Sequence, residues 1–346
     1  MKPVDLPAEE SFEGYPLLAP IAKLYSGVAG WRRRRLSKNP TRLPVPVISV
    51  GNITVGGTGK TPVVEFVARM LHEKGWTPGV LSRGYRAQKG SEGRNDEFLV
   101  LEENLPDLIQ VPNPNRAQGG RAAIEKGAQA LVLDDGFQHF QLARDLDLVL
   151  IDCVRPFGGG KVLPAGLLRE SLETLHLADL FLLTRCEGVS ARKLGLIKNY
   201  LRWRFPDIPQ CDVHFEARKW RQLNGDSERP VDAFKGEKAF GFSGIGNPEA
   251  FRRDLLRLGI DLTGWKCFPD HHHYTLEDGE LIFKEAERSG AQFIVFTQKD
   301  AVKLKSLQLP EPHQWWQLNV GAQIQRGQEI LHSKIQRELQ SQDEKS

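Results

Sequence analysis

Residues 45–75 constrain the fold of this chain more than any other stretch. A β-rich run at 45–50 leads into a segment with four glycines before Lys60, and residues 61–74 then follow a helical pattern. Strand, glycine-rich loop and helix in this order form a phosphate-binding loop, because backbone amides and a helix N-terminus hold anionic oxygens. The sequence therefore predicts a nucleotide site here.

The segment GNITVGGTGKT, residues 51–61, assigns roles within this loop. Lys60 is expected to reach the β- and γ-phosphates, and the Thr61 hydroxyl to bind Mg²⁺. The pattern GxxxxGK[ST] has a glycine where this chain has Thr54. A glycine turn with a chance Lys-Thr pair is the alternative, which the flanking strand and helix disfavour. The residues expected around the nucleotide are Thr54, Val55, Gly56, Gly57, Thr58, Gly59, Lys60 and Thr61.

A second element of a nucleotide site is ALVLDDGFQH, residues 130–139. An apolar strand that ends in a carboxylate is typical of the strand that brings an aspartate to Mg²⁺. Asp134 and Asp135 would point in opposite directions on an extended strand, but at a strand end both can turn into the site. Both are candidate metal ligands, and which of them touches the ion stays open.

Apolar runs and helical stretches alternate along most of the chain. This alternation predicts an α/β fold, with a P-loop NTPase-like parallel sheet covered by helices on both faces and a smaller C-terminal α/β domain. The expected strands are 78–82, 129–133, 147–151, 179–184, 239–243 and 293–297. The expected helices are 61–74, 116–126, 190–204, 248–258, 276–289 and 328–340.

Prolines and glycines interrupt the pattern near residues 205–238 and indicate a domain boundary. Two stretches there, 212–222 and 229–235, are expected to pair as strands. The expected divisions are an N-terminal amphipathic helix and basic segment at 1–44, a nucleotide-binding domain at 45–210, a strand-like connector at 211–237, and a C-terminal domain at 238–346.

The N-terminal segment combines an apolar stripe with a basic run. Seven basic residues and no acidic one lie between Lys23 and Arg42, four of them consecutive at 32–35. This composition is typical of a helix on an anionic membrane surface. Packing of the stripe on the protein's own core is the alternative. The residues that recur at helical spacing are Leu17, Ile21, Leu24, Val28 and Trp31.

Composition excludes several other classes of protein. The net charge of +3, from 47 Lys+Arg and 44 Asp+Glu, is too balanced to indicate a nucleic-acid partner. No apolar run reaches the ~18–20 residues of a membrane-spanning helix. The four cysteines form no CxxC motif, which disfavours structural zinc. Isolated thiols and the lack of a secretory signal predict a cytoplasmic location.

Two short segments say little when read alone. DHHHY, residues 270–274, has three successive histidines that cannot all face one site, so an exposed polar loop is the default interpretation. NDE, residues 95–97, likewise reads as a surface loop.

Together these fragments resemble the tetraacyldisaccharide 4'-kinases, the lipid A 4'-kinases of Gram-negative bacteria. In that family the basic amphipathic start is a membrane-associating helix. The resemblance implies a peripheral protein on the cytoplasmic face of the inner membrane, in contact with anionic lipids, with no required protein partner evident. The matching segments, in family order over residues 15–304, are GNITVGGTGKTP, LSRGY, NDE, DDGFQH, LARD, LPAGLLRE, FPDHHHY and TQKDAVKL.

The resemblance implies ATP- and Mg²⁺-dependent phosphorylation of the 4'-hydroxyl of a tetraacylated glucosamine disaccharide 1-phosphate. A sugar hydroxyl needs a group that accepts its proton. The family's base and its partner fall on Asp96 and His271, although this chain has Asn95 where the family usually has glycine. These two residues are 175 positions apart and are expected on different domains. Closure of the domains would then complete the site.

The resemblance also implies supporting residues. Glu97 is expected near the metal, and Asp270 is expected to orient His271. For Arg116, Arg169 and Glu170, surface ion pairs are the alternative. The residues expected to support the substrate or the transition state are Arg116, Gln138, His139, Arg169, Glu170 and Asp270.

Two other functions remain as alternatives. A P-loop GTPase or metallochaperone would fit the phosphate loop. However, the lysine of TQKD, residues 297–300, is one place too late for the guanine-reading NKxD motif, and CxxC is absent. TQKD is therefore a family segment with an expected role near the nucleotide. The second alternative is a nucleotide-gated membrane scaffold. It is disfavoured because Asp96 and His271 would then have no catalytic role.

Overall fold

The computed structural model describes residues 15–84, 94–311 and 314–343, so Tyr85 and most of the stretch between LSRGY and NDE lie outside the described residues. Its strands are β1 (Val47–Asn52), β2 (Pro78–Ser82), β3 (Ile109–Pro112), β4 (Ala130–Asp134), β5 (Leu146–Asp152), β6 (Leu180–Thr184), β7 (Gln210–Gln222), β8 (Glu228–Arg229), β9 (Lys238–Ser243), β10 (Asp261–Cys267), β11 (Phe293–Thr297) and β12 (Trp315–Arg326).

The helices match the expected ones within a few residues and add two short ones, α3 and α8. They are α1 (Ala19–Leu36), α2 (Lys60–Glu73), α3 (Asp96–Asn104), α4 (Arg116–Glu125), α5 (Ala191–Arg204), α6 (Pro248–Arg257), α7 (Leu276–Ser289), α8 (Gln298–Leu304) and α9 (Gln328–Asp343). The predicted α/β class, with a largely parallel sheet, is confirmed. Strands β3, β10 and β12 were not expected.

The chain forms two compact units whose boundaries differ from the expected ones. The first comprises Met1–Gly93, Leu105–Phe215 and Ala322–Ser346, and the second comprises Arg94–Asn104 and Glu216–Gly321. Helix α3 packs on α8 and therefore belongs to the second unit. Helix α9 packs on β5 and belongs to the first. The expected connector is not separate, because β7 contributes residues to both units.

The first unit places the carboxyl ends of neighbouring strands along one edge. Its strand order is β7-β6-β5-β1-β4-β2-β3, and these pairs are parallel. Val50 of β1 stands opposite Asp134 of β4, so the glycine loop that follows β1 begins beside the Asp134–Asp135 pair. This edge of a parallel sheet is where such folds bind ligands.

Helix α2 holds the glycine loop against this sheet. Its buried side chains recur every three or four residues and include Val64, Val67 and Leu71. Burial of each such side chain contributes about 1.5–3 kcal/mol relative to exposure. The start of α2, and with it the loop, is therefore fixed by the core of the first unit.

The strands of the second unit also run parallel to one another, in the order β10-β9-β11-β12. Alternate side chains of a strand point to opposite faces, and adjacent residues accordingly enter different clusters. Trp315 joins Phe242, Phe296 and Tyr274 on one face. Trp316 joins Trp220 and Phe234 in a second cluster. Strands β7 and β8 pair as expected through Trp220 and Arg229, whereas residues 230–235 form no strand.

Helix α1 and the turn that precedes it (Pro16–Leu18) keep their apolar stripe in contact with solvent. Leu17 is 94% exposed and Leu24 is 71% exposed, and Ile21, Val28 and Trp31 are each more than half exposed. The stripe therefore does not pack on the protein's own core. Within the described residues, no helix combines the length and apolar character needed to cross a membrane.

Candidate active site

The loop between β1 and α2 has the backbone geometry of a phosphate-binding loop. Gly56 and Gly59 have φ values of 107° and 87°, which glycine adopts without a steric cost. Gly59 immediately precedes α2, and a Cβ at this position would lie 2.1 Å from the Phe215 ring. The N–H groups of the first turn of α2 have no partner within the helix and lie directly after the loop. They can therefore bind phosphate oxygens.

Lys60, Asp135 and Arg169, which were expected from three separate motifs, meet in the first unit. The Lys60 ammonium lies 3.2 Å from Asn52 Oδ1 and 3.4 Å from Asp135 Oδ1. Arg169 Nη1 donates to Asp135 Oδ2 at 2.8 Å. Burial raises the pKa of Asp135, but the charges of Lys60 and Arg169 outweigh burial and hold the pKa below its ordinary range. Asp135 is therefore ionised between two cations.

The first two residues expected around the nucleotide are bonded elsewhere. The Val55 N–H donates to the Leu167 carbonyl at 2.9 Å. Buried Thr54 forms a bridge to Leu168, and its hydroxyl accepts a hydrogen bond from Asn52 Nδ2. Thr54, in place of the usual glycine, and Val55 thus fasten the loop to residues 167–168, and their expected contact with the nucleotide stays a prediction.

Two side chains at the end of β6 hold the glycine loop, and sequence reasoning missed both. Arg185 Nη2 donates to the Gly57 carbonyl at 2.6 Å, and Nη1 lies 2.5 Å from Asp152 Oδ2. The Thr184 hydroxyl donates to the Thr58 carbonyl at 3.1 Å. Their position at the carboxyl end of a parallel strand was the available signal.

Arg116 and Gln138 hydrogen-bond to backbone carbonyls near Asp134 and at the end of β1. Arg116 is buried and donates to the carbonyls of Asn113 (2.8 Å) and Asp134 (3.4 Å). Burial lowers the pKa of Arg116 to about 10, so it keeps its charge at neutral pH. Gln138 Nε2 donates to the Asn52 carbonyl at 2.7 Å. Arg116 and Gln138 therefore contact the ends of β4 and β1.

His139 is neutral in this setting. Burial, together with the positive charges of Arg116 and Arg144, lowers the pKa of His139 to about 4. At neutral pH its imidazole can therefore accept or donate a hydrogen bond but carries no charge.

Glu170 has a different neighbourhood from the expected one. Its carboxylate accepts hydrogen bonds from Arg33 Nη1 and from the Thr174 hydroxyl, each at 3.1 Å. Arg33 belongs to the basic run of α1. In the structure Glu170 thus fastens α1 to the rest of the first unit through its ion pair with Arg33, and its expected role toward the substrate stays a prediction.

The second unit brings Asp96 and His271 together. His271 Nδ1 lies 2.9 Å from Asp96 Oδ2, and Asp96 is buried at the first residue of α3. Asn95, at the family's glycine position, accepts a hydrogen bond from Phe98 N and so starts the helix as an N-cap. The expected pair is present, but both residues lie in the second unit, because α3 is attached to that unit.

Glu97 and Lys299 extend this cluster. Asp96, Glu97 and His271 offer potential ligand atoms within 4.8 Å of one another. Lys299 Nζ lies 2.5 Å from Glu97 Oε1, a contact across 202 positions that sequence reasoning did not find.

These contacts set the protonation of the cluster. Burial opposes ionisation of Asp96, but the hydrogen bonds from His271 and Glu97 and the charges of Lys299 and His271 together outweigh burial and keep the pKa of Asp96 well below its usual range. The hydrogen bond to Asp96 raises the pKa of His271. Burial raises the pKa of Glu97, which the charge of Lys299 partly offsets. The pair therefore favours an ionised Asp96 beside a more basic imidazole.

His271 and His272 of the DHHHY segment contact different partners. His272 Nε2 lies 3.0 Å from Asp278 Oδ2, and its ring stacks on Phe268. Asp270 Oδ2 is 3.7 Å from His271 Nε2, beyond hydrogen-bonding range. The expected role of Asp270 in orienting His271 is therefore limited to a long electrostatic contact, and the close partner of His271 is Asp96.

A parallel sheet, a glycine loop before a helix, a loop lysine and carboxylates at adjacent strand ends define a P-loop nucleotide-binding protein. A family model described as "LpxK: Tetraacyldisaccharide-1-P 4'-kinase" matches residues 15–340. The chain belongs to this family of kinases of lipid A biosynthesis.

Individual relatives agree over most of their length. The chain is 38% identical to the tetraacyldisaccharide 4'-kinase of Desulfotalea psychrophila, a match that covers 83% of this chain and 87% of that relative. It is 41% identical to the same enzyme of Syntrophotalea carbinolica, over 78% and 76% of the two chains. A crystal structure of LpxK from Aquifex aeolicus in complex with ATP is similar with a TM-score of 0.73 and 30% identity, covering 93% of this chain and 98% of that one.

Proposed function

We propose that the protein transfers the γ-phosphate of ATP to the 4'-hydroxyl of a tetraacylated glucosamine disaccharide 1-phosphate, yielding ADP and the 4'-phosphorylated lipid. The observation that carries this proposal is the contact of half-buried His271 with buried Asp96 in a chain that also has a glycine loop with Lys60. Family membership supports the acceptor, and the ATP complex of the Aquifex aeolicus relative supports the donor.

The first unit supplies the nucleotide site. Amides from Gly56 onward and the N-terminus of α2 fit phosphate oxygens, and Lys60 fits the β- and γ-phosphates. The donor set also fits Mg²⁺, which supplies charge neutralisation at the phosphates when bound. Asp135 already has Lys60 and Arg169 as cationic partners. We therefore assign direct contact with the metal to Asp134 and Thr61, and a role at the same site to Asp135.

The second unit supplies the base. As the 4'-oxygen attacks the γ-phosphorus, its O–H bond breaks and the proton passes to the Asp96 carboxylate, while the bond from the γ-phosphorus to the ADP oxygen breaks. The hydrogen bond from His271 fixes the orientation of the Asp96 carboxylate. Glu97 lies beside this pair, with Lys299 as its cationic partner.

Helix α1 supplies the membrane contact. A tetraacylated substrate stays in the bilayer, so the enzyme must bind at the lipid surface. The exposed stripe of α1 offers the apolar face, and each nearby Lys or Arg adds about 1 kcal/mol of attraction to an anionic leaflet. We assign the protein to the cytoplasmic face of the inner membrane, as a peripheral protein.

The test is a transfer assay with γ-labelled ATP, Mg²⁺ and tetraacyl disaccharide 1-phosphate in detergent micelles. We expect labelled lipid from the wild type and a loss of about 10²–10⁴-fold in Asp96→Asn, the range of general acid–base catalysis. Asp278→Asn is the matched control, because Asp278 is bonded to the neighbouring His272.

Three outcomes would contradict the proposal. Release of labelled inorganic phosphate alone would indicate a hydrolase, and equal use of GTP and ATP would restore the GTPase alternative. Full activity in Asp96→Asn would remove the assigned base.

A further inference from the structure

The TQKD segment, residues 297–300, has no task in the reaction described so far. It forms the start of α8, where the Thr297 hydroxyl caps the helix by accepting a hydrogen bond from Asp300 N. The next three residues, Gln298, Lys299 and Asp300, each form a side-chain contact outside the helix. All of these contacts lie within the second unit.

Asp300 is a fully buried carboxylate with several hydrogen-bond donors around it. Its Oδ1 accepts hydrogen bonds from Gly244 N at 3.1 Å and from the Tyr274 hydroxyl at 2.9 Å. Its Oδ2 accepts one from the Thr297 hydroxyl at 2.6 Å. The Lys303 ammonium, 3.3 Å away, balances the charge. This carboxylate thus fixes the backbone of Gly244.

Gly244 in turn fixes the backbone of His271. The His271 N–H donates to the Gly244 carbonyl at 3.2 Å. A Cβ at position 244 would lie 2.8 Å from the Tyr274 hydroxyl, so only glycine allows this close approach. His271 has a φ of 60°, a left-handed conformation that is unfavourable for a residue with a side chain. The bond to Gly244 therefore helps to hold His271 in the orientation that meets Asp96.

The two preceding residues of α8 hold the helix that carries Asp96. Lys299 Nζ contacts Glu97 near the start of α3. Gln298 and Asn104 exchange two side-chain hydrogen bonds at its end, at 2.7 and 3.2 Å. Helix α3 is thus attached to α8 near both of its ends.

We propose that the first turn of α8 is the positioning element of the Asp96–His271 pair: Gln298 and Lys299 orient α3 and its Asp96, and Asp300 orients His271 through Gly244. This inference rests on the proposed function, in which that pair handles the proton of the sugar hydroxyl. The residues of α8 are positioning residues, because they act through the pair and not on the substrate.

A double-mutant cycle on kcat tests the Asp300 branch. We expect Asp300→Asn to lower kcat by about 10–100-fold, the cost of misplacing a catalytic group, while the KM for ATP changes by less than about 2-fold. In a His271→Ala background the same substitution is expected to change kcat by less than about 3-fold, because the group it positions is gone. Losses that multiply in the double variant would overturn the inference.

Two further variants separate positioning from folding. Tyr274→Phe removes one donor to Asp300 and keeps the aromatic packing, so it should lower kcat less than Asp300→Asn does and show the same non-additivity with His271→Ala. Asp278→Asn, which disturbs the bond to His272, should leave kcat near wild type. Equal losses in Asp278→Asn and Asp300→Asn would overturn the inference in favour of general loop stability.

The α3 branch has its own test. Lys299→Met should lower kcat in the wild-type background and have little effect in Asp96→Ala, whereas multiplying losses would overturn this branch. If His271→Ala and Asp96→Ala themselves retain full activity, the assigned base fails and the inference fails with it. If both lose activity and the cycles are additive, the inference alone fails.

Discussion

The guanidinium of Arg185 lies 2.6 Å from the carbonyl oxygen of Gly57 in the phosphate-binding loop. In a planar trans peptide the N–H points away from the C=O, so fixing the Gly57 carbonyl also fixes the direction of the Thr58 N–H. The Thr184 hydroxyl does the same for the next peptide through the Thr58 carbonyl. Two side chains of the β6 end therefore set the direction of two loop amides.

Arg185→Met is expected to raise the KM for ATP by about 10-fold, because a hydrogen bond to a charged group contributes about 1.5–3 kcal/mol. The KM for the lipid and kcat should change less, since only the nucleotide loop loses its support. Steady-state kinetics with each substrate varied in turn measure this. Arg202→Met, on the exposed side of α5, is the matched control, and an unchanged KM for ATP in Arg185→Met would refute the assigned role.

The basic run of α1 divides into two kinds of arginine. Arg33 is hydrogen-bonded to Glu170 and Thr174. The other three arginines of the run, at positions 32, 34 and 35, are exposed like the apolar stripe beside them. We expect Gln at positions 32, 34 and 35 together to weaken sedimentation with anionic vesicles by about 1 kcal/mol per charge, without loss of thermal stability. Equal sedimentation of this variant and the wild type would contradict the membrane role.

Arg33→Gln is expected to show the opposite behaviour. It leaves the buried Glu170 carboxylate without its cation, which costs about 1–3 kcal/mol of unfolding free energy. The melting temperature should therefore fall. The free energy of vesicle binding should weaken by no more than the contribution of one charge, about 1 kcal/mol. An unchanged melting temperature would show that the Arg33–Glu170 pair does not hold α1.

His139 predicts a pH dependence of stability. Its folded-state pKa of about 4 lies below the ordinary 6.5, so between these values the unfolded chain binds a proton that the folded chain does not. The stabilisation is complete above pH 6.5 and is lost as the pH falls toward 4. We expect the free energy of unfolding to fall by about 1–3 kcal/mol over this window, a range that is reduced because His139 is partly exposed. His139→Gln should reduce the loss, as measured by urea unfolding at pH 7 and pH 5, while exposed His72→Gln should not.

We expect Gly59→Ala to abolish ATP binding, whereas its effect on the free energy of unfolding should be that of backbone strain alone. The new Cβ meets both an unfavourable φ of 87° and the Phe215 ring. Gly75→Ala is the matched control at the other end of α2, with a φ of 84° and open space around the Cβ. Both variants should lose about 1–2 kcal/mol of stability from backbone strain, but only Gly59→Ala should lose ATP affinity. Similar ATP affinity in the two variants would contradict this reading of the loop.

Local patterns in the sequence predicted much of the fold and the main site residues. The glycine loop and the Asp134–Asp135 strand came from short segments with clear chemistry, whereas the Asp96–His271 pair came only from the resemblance to the kinase family. Strand β12 was missed because it buries Gln317 and Asn319, which bond to each other, so its polar residues hide the apolar period. Helix α3 was missed because its cap, Asn95, was read as a departure from a loop motif.

Contacts between distant segments could not be read from spacing. Arg185 is 128 positions from Gly57, and Lys299 is 202 positions from Glu97. No periodicity connects such pairs, because their contact depends on how the sheet and helices are arranged. The same reason explains the expectation that Asp96 and His271 belong to different domains: only the packing of α3 on α8 shows that they share one.

The return of the chain to its first unit has a consequence for synthesis. Helix α9 follows the whole second unit in the chain, yet its Leu331, Ile335 and Leu339 are buried and it packs on β5. Chains leave the ribosome from the N-terminus, and domains form as their residues emerge. A nascent chain that has already released the entire second unit therefore still exposes the surface of β5 that α9 covers, and the nucleotide-binding unit reaches its native packing only after translation has passed α9.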